Sequence, residues 1–177
     1  MNEARLETAR LILRPRTIAD LDANLAMDLN PAVRRYIYPS PPDPETQRRR
    51  LGTQITEGWP ARGGLWVVEE KAAPGFLGWC ALVPLEKSGF IEIGYRYVPG
   101  AWGRGIATEA ARRVLDHGFR VLGFDPIVAV ANPANAASQN VLGKIGLKRD
   151  GTAFHYGQNV AFFRLDAEEF LESLGAA

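Results

Sequence analysis

The chain is poor in cysteine and in net charge. Its one cysteine, Cys80, excludes an internal disulfide and suits a reducing compartment. Cys80 lies within the strand-like Leu77–Val83, where a thiol serves as a small core hydrophobe. With 21 basic and 20 acidic residues the net charge is +1, which gives no electrostatic case for a nucleic-acid binder. No His, Cys or carboxylate cluster has metal-ligand spacing, so no metal is expected. No run approaches the roughly 18 apolar residues a membrane span needs. The Met1–Glu7 opening has no apolar signal region, so a cytoplasmic protein without a membrane partner is expected.

What is present is ordinary for a globular protein: 46% apolar and 23% charged residues. A chain of 177 residues can bury its own core. The expectation is therefore one domain across 1–177, with a core of about residues 7–172.

Patterning gives the order of elements. Leu11–Pro15 reads as a first strand, its proline at the end where a missing N–H does least harm. Ala19–Leu29 carries Leu21, Leu25 and Leu29 at helical spacing, with Thr17 or Asp20 near its start. Asn30-Pro31 stops that helix, and Ala32–Tyr38 reads as a short second one. Pro39–Pro44 is a loop by its prolines. Glu45 to Gly58 is a further helix, with Arg48, Arg49 and Arg50 as a solvated face. Three strands follow: Gly64–Glu70, Gly75–Val83 and Gly89–Val98. In the third, Phe90, Glu92, Gly94 and Arg96 face one way, and Ile91, Ile93, Tyr95 and Tyr97 the other.

A helix from Ile106 to Leu122 follows, with Ala107, Ala110, Ala111, Val114, Leu115 and Phe119 as its apolar stripe. His117 is expected on its surface. Pro126–Ala131 is apolar enough for a buried parallel strand. Asn135 caps a helix over Ala136–Ile145 that Gly146 ends. Leu147–Gly151 and Val160–Leu165 supply the last strands around a turn at Tyr156-Gly157, and a terminal helix closes near Leu174. The layout is α+β, in α/β/α layers. A mixed, mostly antiparallel sheet of about six to seven strands is flanked by helices.

The stretch Tyr97-Val-Pro-Gly-Ala-Trp-Gly-Arg-Gly-Ile-Ala-Thr-Glu109 joins a strand to a helix through Gly100, Gly103 and Gly105. Glycine permits close backbone approach and unusual φ, while a helix N-terminus offers unpaired N–H groups and a positive dipole end. Such a turn holds phosphate. The spacing is not the dinucleotide pattern Gly-x-Gly-x-x-Gly, nor does Gly105-Ile-Ala supply the Gly-Lys-Ser/Thr of a P-loop.

Together, Trp102-Gly-Arg-Gly-Ile-Ala107 and Asn135-Ala-Ala-Ser138…Lys144-Ile-Gly-Leu147 resemble the GCN5-related N-acetyltransferase (GNAT) superfamily, in its RimJ/RimL-type branch. Glu7–Arg14, Glu92-Ile-Gly-Tyr95 and Ala107-Thr-Glu-Ala110 extend the likeness over nearly the whole chain. The superfamily's phosphate loop is Gln/Arg-x-x-Gly-x-Gly/Ala. Gly105 and Ala107 fill its last fixed positions, and Trp102 stands at the first, a departure common in that branch.

The resemblance implies a GNAT fold whose fourth and fifth strands run parallel and splay apart. It further implies acetyl-CoA as donor, held by Trp102, Gly103, Arg104, Gly105, Ile106, Ala107 and Thr108 at the pyrophosphate. Val98 would meet the pantetheine arm, and Asn135 and Ser138 would complete the cofactor contacts. The chemistry implied is acetyl transfer from the thioester to a primary amine, by direct attack in a ternary complex with no metal.

The amine must lose a proton, and the family pattern puts Glu92 near it as base. The competing reading pairs Glu92 with Arg96 on the strand surface. Many members use a tyrosine seven residues beyond the asparagine to protonate the thiolate; here that position is Leu142. Ser138 is the replacement the branch implies, set against a serine that only bonds helix backbone. A backbone N–H near Val98 would polarise the thioester carbonyl.

His155 and Tyr156 fall in a late loop near the cleft and receive no role. The acceptor stays open among a protein N-terminus, a free amino acid, a polyamine and an aminoglycoside. So does the choice between monomer and homodimer. The non-enzymatic alternative is an acetyl-CoA-binding sensor or interaction module with weak catalysis.

Overall fold

The structure, a computed structural model, describes residues 4–37, 43–58 and 63–175. Strands β1 (Leu6–Glu7), β2 (Leu11–Pro15), β3 (Gly64–Glu70), β4 (Gly78–Pro84) and β5 (Ile91–Tyr97) pair antiparallel in chain order. Next comes β6 (Ile127–Ala131), parallel to β5. The hairpin of β7 (Lys148–His155) and β8 (Gln158–Leu165) joins through β8, which is antiparallel to β6. The eight-stranded order is β1-β2-β3-β4-β5-β6-β8-β7. Leu6–Glu7 is the strand beyond the expected seven, too short to carry a sequence pattern of its own.

The helices are α1 (Leu21–Leu29), α2 (Pro31–Arg34), α3 (Pro44–Glu57), α4 (Ile106–Arg120), α5 (Ala136–Lys144) and α6 (Ala167–Gly175). Of the expected Ala32–Tyr38 helix only the α2 turn is helical, started by the Asn30 side chain accepting from the Ala32 N–H at 2.9 Å. Tyr38 and the Pro39–Pro44 loop up to residue 42 lie outside the described residues. Asp43 then caps α3 by accepting from the Thr46 N–H at 2.9 Å.

Helix α4 is the crossover that makes β5 and β6 parallel. Its Ala110, Val114 and Leu115 pack in one buried cluster with Leu82 and Ile127 of the sheet. A Cβ at Gly118 would meet Leu82 Cδ1 at 2.7 Å and Ile127 Cδ1 at 2.8 Å, so helix and sheet touch closely there. His117 is buried, not on the surface as expected, and lies edge-on to Trp66 at 5.6 Å. The physical reason is periodicity: 110, 114 and 117 share one helical face, so the stripe includes it. Burial lowers its pKa from the usual imidazole value.

Two further differences bear on the site. The buried side of α1 is Asn24, Met27 and Asp28, while Leu21, Leu25 and Leu29 are only half-buried. The β5–β6 ladder contains only Ile91↔Ile127 and Glu92↔Val128, although both strands run on. The two strands therefore splay beyond Glu92.

Among the described residues no helix is long and apolar enough to cross a membrane. No group of three or more His, Cys, Asp or Glu among them could hold a metal ion.

Candidate active site

The glycine turn leaves β5 through a short 3-10 segment, Pro99–Ala101, and ends at Gly105, the N-cap of α4. Gly103 and Gly105 have φ of 72° and 77°, the left-handed region that other residues avoid. Gly105 brings no side chain to cap the helix, so the first N–H groups of α4 face outward without a side-chain acceptor. An anionic diphosphate fits that geometry on structural grounds alone.

The turn is clamped from the link between β1 and β2. The Arg10 guanidinium donates to the Arg104 carbonyl through both terminal nitrogens at 3.2 Å, and to Glu109 Oε2 from Nε at 2.7 Å. Glu109 Oε1 also accepts from the Thr8 hydroxyl at 2.6 Å and the Arg10 N–H at 3.1 Å. These contacts hold its carboxyl below the usual range, although partial burial acts first and in the opposite direction. Arg104 itself turns to Glu70 at 2.7 Å, and the Trp102 indole donates to the Tyr97 carbonyl at 3.0 Å. Ile106 is buried in the core, so it offers only backbone, and Ala107 and Thr108 are half-buried.

The splay between β5 and β6 exposes backbone. Val98 donates its N–H to the Leu77 carbonyl at 2.9 Å, on the β4 side. Strand alternation therefore turns the Tyr95 and Tyr97 backbone toward the gap, and the ladder with β6 stops short of both. On the other bank, Asn135 caps α5 by accepting from the Ser138 N–H at 3.1 Å. The Tyr95 hydroxyl crosses the gap, donating to the Ser138 carbonyl at 3.0 Å and lying 3.1 Å from Ser138 Oγ. Burial pushes the Tyr95 phenol well up, so it stays protonated. Leu142, where other sequences place a tyrosine, is a buried apolar residue.

Beyond the splay lies a cavity of about 550 Å³ whose walls include Glu92, Tyr95, Ser138 and Tyr156. Glu92 does not pair with Arg96. Arg96 instead bonds Asp28 at 2.5 Å and lies 5.3 Å from the Trp79 ring centroid. Glu92 accepts a hydrogen bond from the Tyr156 hydroxyl and is only 8% exposed. Burial pushes its carboxyl up to about 7, even though the Tyr156 bond pulls the other way.

Tyr156 is the residue that sequence reasoning left without a role. It reaches Glu92 because Tyr156-Gly157 form a two-residue turn with φ of 52° and 75°, both positive as in a type I′ hairpin. The tightness of that turn, a Tyr-Gly pair between strands, was the available signal. Beside it, His155 Nδ1 lies 2.8 Å from Glu86 Oε2.

The structure thus gathers Glu92, Ser138 and Asn135 at one cleft, with the glycine turn outside the cavity at the splay's far end. A near-neutral carboxylate, a protonated phenol–serine pair, gap-facing backbone and an anion-binding turn form a sequence of groups suited to acyl transfer from a phosphate-bearing thioester.

Comparison with known proteins agrees. Residues 10–148 match the model of the acetyltransferase (GNAT) domain family. The uncharacterized N-acetyltransferase YoaA of Bacillus subtilis (strain 168) is 34% identical, over 85% of this chain and 86% of that one. YkkB of the same organism is 39% identical over 56% of this chain, and the match spans 59% of YkkB. A solved GNAT-family acetyltransferase from Bacillus anthracis superposes with TM-score 0.78 at 22% identity, over 93% of this chain and 99% of that one. Mycobacterium smegmatis RimJ, solved with CoA-disulfide, gives TM-score 0.71 at 19% identity, over 97% and 93%. At those identities the structures establish the shared fold alone, while the family model and YoaA carry the relationship itself. The chain belongs to the GNAT acetyltransferase family.

Proposed function

We propose that the protein is an acetyl-CoA-dependent N-acetyltransferase acting on a primary amine by direct attack within a ternary complex. The observation that carries this reading is Glu92, a buried carboxyl held near 7 in the wall of a substrate-sized cavity beside the splayed strands. A base of that pKa takes a proton at neutral pH and gives it up again afterwards.

The roles follow the cleft. The diphosphate of CoA lies on the N–H groups around Gly103–Thr108, with Trp102 and Arg104 flanking. The pantetheine arm runs along Val98 into the splay, past Asn135. The amine nitrogen, relieved of its proton by Glu92 directly or through one water, attacks the thioester carbonyl carbon. One gap-facing N–H, that of Tyr95 or of Tyr97, replaces the occupied Val98 donor in stabilising the developing oxyanion. The carbon–sulfur bond then breaks, and the thiolate takes a proton at the Ser138–Tyr95 pair. The acceptor is a small-molecule amine or a protein N-terminus.

The test is CoA release from acetyl-CoA with a panel of primary amines, the N-acetyl product being identified by mass. Tight acetyl-CoA binding without turnover on any amine would sink the enzyme reading.

Two smaller effects follow. Tyr156→Phe removes a hydrogen bond to the charged form of Glu92, so the Glu92 pKa rises. The acidic limb of kcat/KM then moves to higher pH than in the parent enzyme; an unmoved limb would separate Tyr156 from the base. Arg10→Ala loosens the clamp under the glycine turn. The KM for acetyl-CoA is expected to rise about ten-fold, the scale of one charge-assisted hydrogen bond, with kcat little changed.

A further inference from the structure

Neighbouring strands build the floor of the cavity. On β4 and β5, Val83 pairs with Glu92, Ala81 with Gly94 and Trp79 with Arg96. Side chains alternate along a strand, so these six share one face of the sheet. Leu65, Ala81 and Val83, with Trp79 packed against them, form an apolar cluster separate from the main core. The base therefore stands at the edge of a second apolar face, and the cavity lies on it.

Beside Glu92 this floor is flat. Ala81 and Gly94 stand opposite each other with almost no side chain between them. Gly94 is one same-face step from Glu92, about 7 Å along the strand. Trp79 closes the far side. Its Cζ3 lies 3.8 Å from where a Gly94 Cβ would stand, so the indole reaches toward the base over the glycine. Arg96 lies over the Trp79 ring, 5.3 Å from its centroid, and Asp28 holds Arg96 in turn. The indole is fixed in this way, yet it is only half-buried and part of the cavity wall.

The charged groups described in that wall already have protein partners. Asp28 pairs with Arg96, Glu86 contacts His155, and Arg16 bonds Asn24 Oδ1. Glu92 differs, because its partner is the neutral Tyr156 hydroxyl. The wall thus suits one ammonium, at Glu92. A second ammonium or a carboxylate would have to displace an existing contact.

We propose that Trp79 and Gly94 form the seat of the acceptor's body. The acceptor is then a primary monoamine whose nitrogen lies at Glu92 and whose flat apolar group, a short chain away, lies against the indole. This rests on the acetyl-transfer reading for the place of the amine. It sets arylalkyl amines above polyamines and free amino acids as acceptors.

The test needs no turnover, because the acetylated products occupy the same seat. The CoA-loaded protein is titrated calorimetrically with N-acetylphenethylamine and with N-ethylacetamide, which lacks only the ring. The ring is expected to tighten binding about ten- to a hundred-fold, the range for burying one aromatic side chain. N-acetylputrescine against N-butylacetamide adds an ammonium. N-acetylphenylalanine and its amide, against N-acetylphenethylamine, add a carboxylate or a peptide-like group. None of these additions should tighten binding.

Gly94→Val fills the flat floor without strain, since its Cβ meets only the Trp79 ring at an ordinary distance. Trp79→Ala removes the seat. Each should abolish most of the ring's advantage, and Trp79→Phe should keep most of it. Acetyl-CoA affinity stays at the parent value in all three, which also reports that they fold. Equal binding of N-acetylphenethylamine and N-ethylacetamide would overturn the proposal. So would tighter binding of any compound with the added group, or a ring advantage that survives Gly94→Val or Trp79→Ala. A failure of acetyl transfer itself is read separately, as the absence of CoA release with every amine.

Discussion

Glu92→Gln is expected to lower kcat/KM for amine acetylation by about 10² to 10⁴-fold, the usual contribution of a positioned base. The substitution is close to isosteric, and Gln still accepts from the Tyr156 hydroxyl, so the cleft keeps its shape. The same change should make the protein more stable at alkaline pH. The folded-state pKa of Glu92, about 7, lies above its ordinary 4.5. The folded state therefore holds the proton more tightly, and the stability this confers is complete below 4.5 and lost as pH rises through 7. At pH 8 the parent protein carries a buried charge that the glutamine variant does not. A difference on the order of 3 kcal/mol is expected there, shrinking toward pH 5. Thermal melts at the two pH values check it. Activity lost and alkaline stability gained by one substitution would mark a residue kept for chemistry and not for folding. A variant as active as the parent would remove Glu92 from the mechanism.

Gly105→Val should act on the donor alone. Gly105 sits at φ 77°, a conformation that costs a β-branched residue on the order of 1–3 kcal/mol. Its added side chain would also crowd the outward N–H groups of α4, and the Arg10 guanidinium is already 3.5 Å from a built Cβ. Acetyl-CoA affinity is expected to fall about 10²-fold, equivalent to one or two charge-assisted hydrogen bonds. Gly100→Ala is the matched control. Nothing lies within 4 Å of a Cβ there and its φ is ordinary, so affinity should hold near the parent value. Equal affinities for Gly105→Val and the parent would place the diphosphate elsewhere.

The parts of this site that were readable in the sequence are the local ones. The glycine turn, the Asn135 cap and the parallel strand at Pro126–Ala131 each announce themselves within a few residues, through φ requirements, capping chemistry or an unbroken apolar run. The parts that were not readable are pairings across the fold. Glu92 and Tyr156 are 64 residues apart, and no local pattern says that a hairpin tip will reach a strand three positions across the sheet order. Tyr95 and Ser138 meet only because the β5–β6 ladder stops after two pairs. Strand alternation made Arg96 the competing partner for Glu92, but Asp28 on a distant helix holds Arg96 instead. In α1 the leucines carried the sequence pattern, but the buried side holds Asn24, Met27 and Asp28, with Asp28 paired to Arg96 and Gln47 from elsewhere in the chain. His117 was misplaced for a simpler reason, a helical face drawn one residue too narrow.

The Tyr95–Ser138 pair also explains how Leu142 can be apolar. A phenol reaches the same bank of the cleft from the opposite strand, so in the proposed mechanism Tyr95 of β5 joins Ser138 of α5 where many members use a tyrosine on the helix. Burial keeps that phenol protonated across the working range, as a donor requires.

The central claim is that Glu92 is the base for an amine attacking acetyl-CoA in this cleft. The most direct measurement is the pH dependence of kcat/KM for one acetylated amine, in the parent enzyme and in Glu92→Gln. The account predicts an acidic limb with an apparent pKa near 7 in the parent, absent from the variant once the amine's own titration, common to both, is divided out. The same limb in both proteins would contradict it.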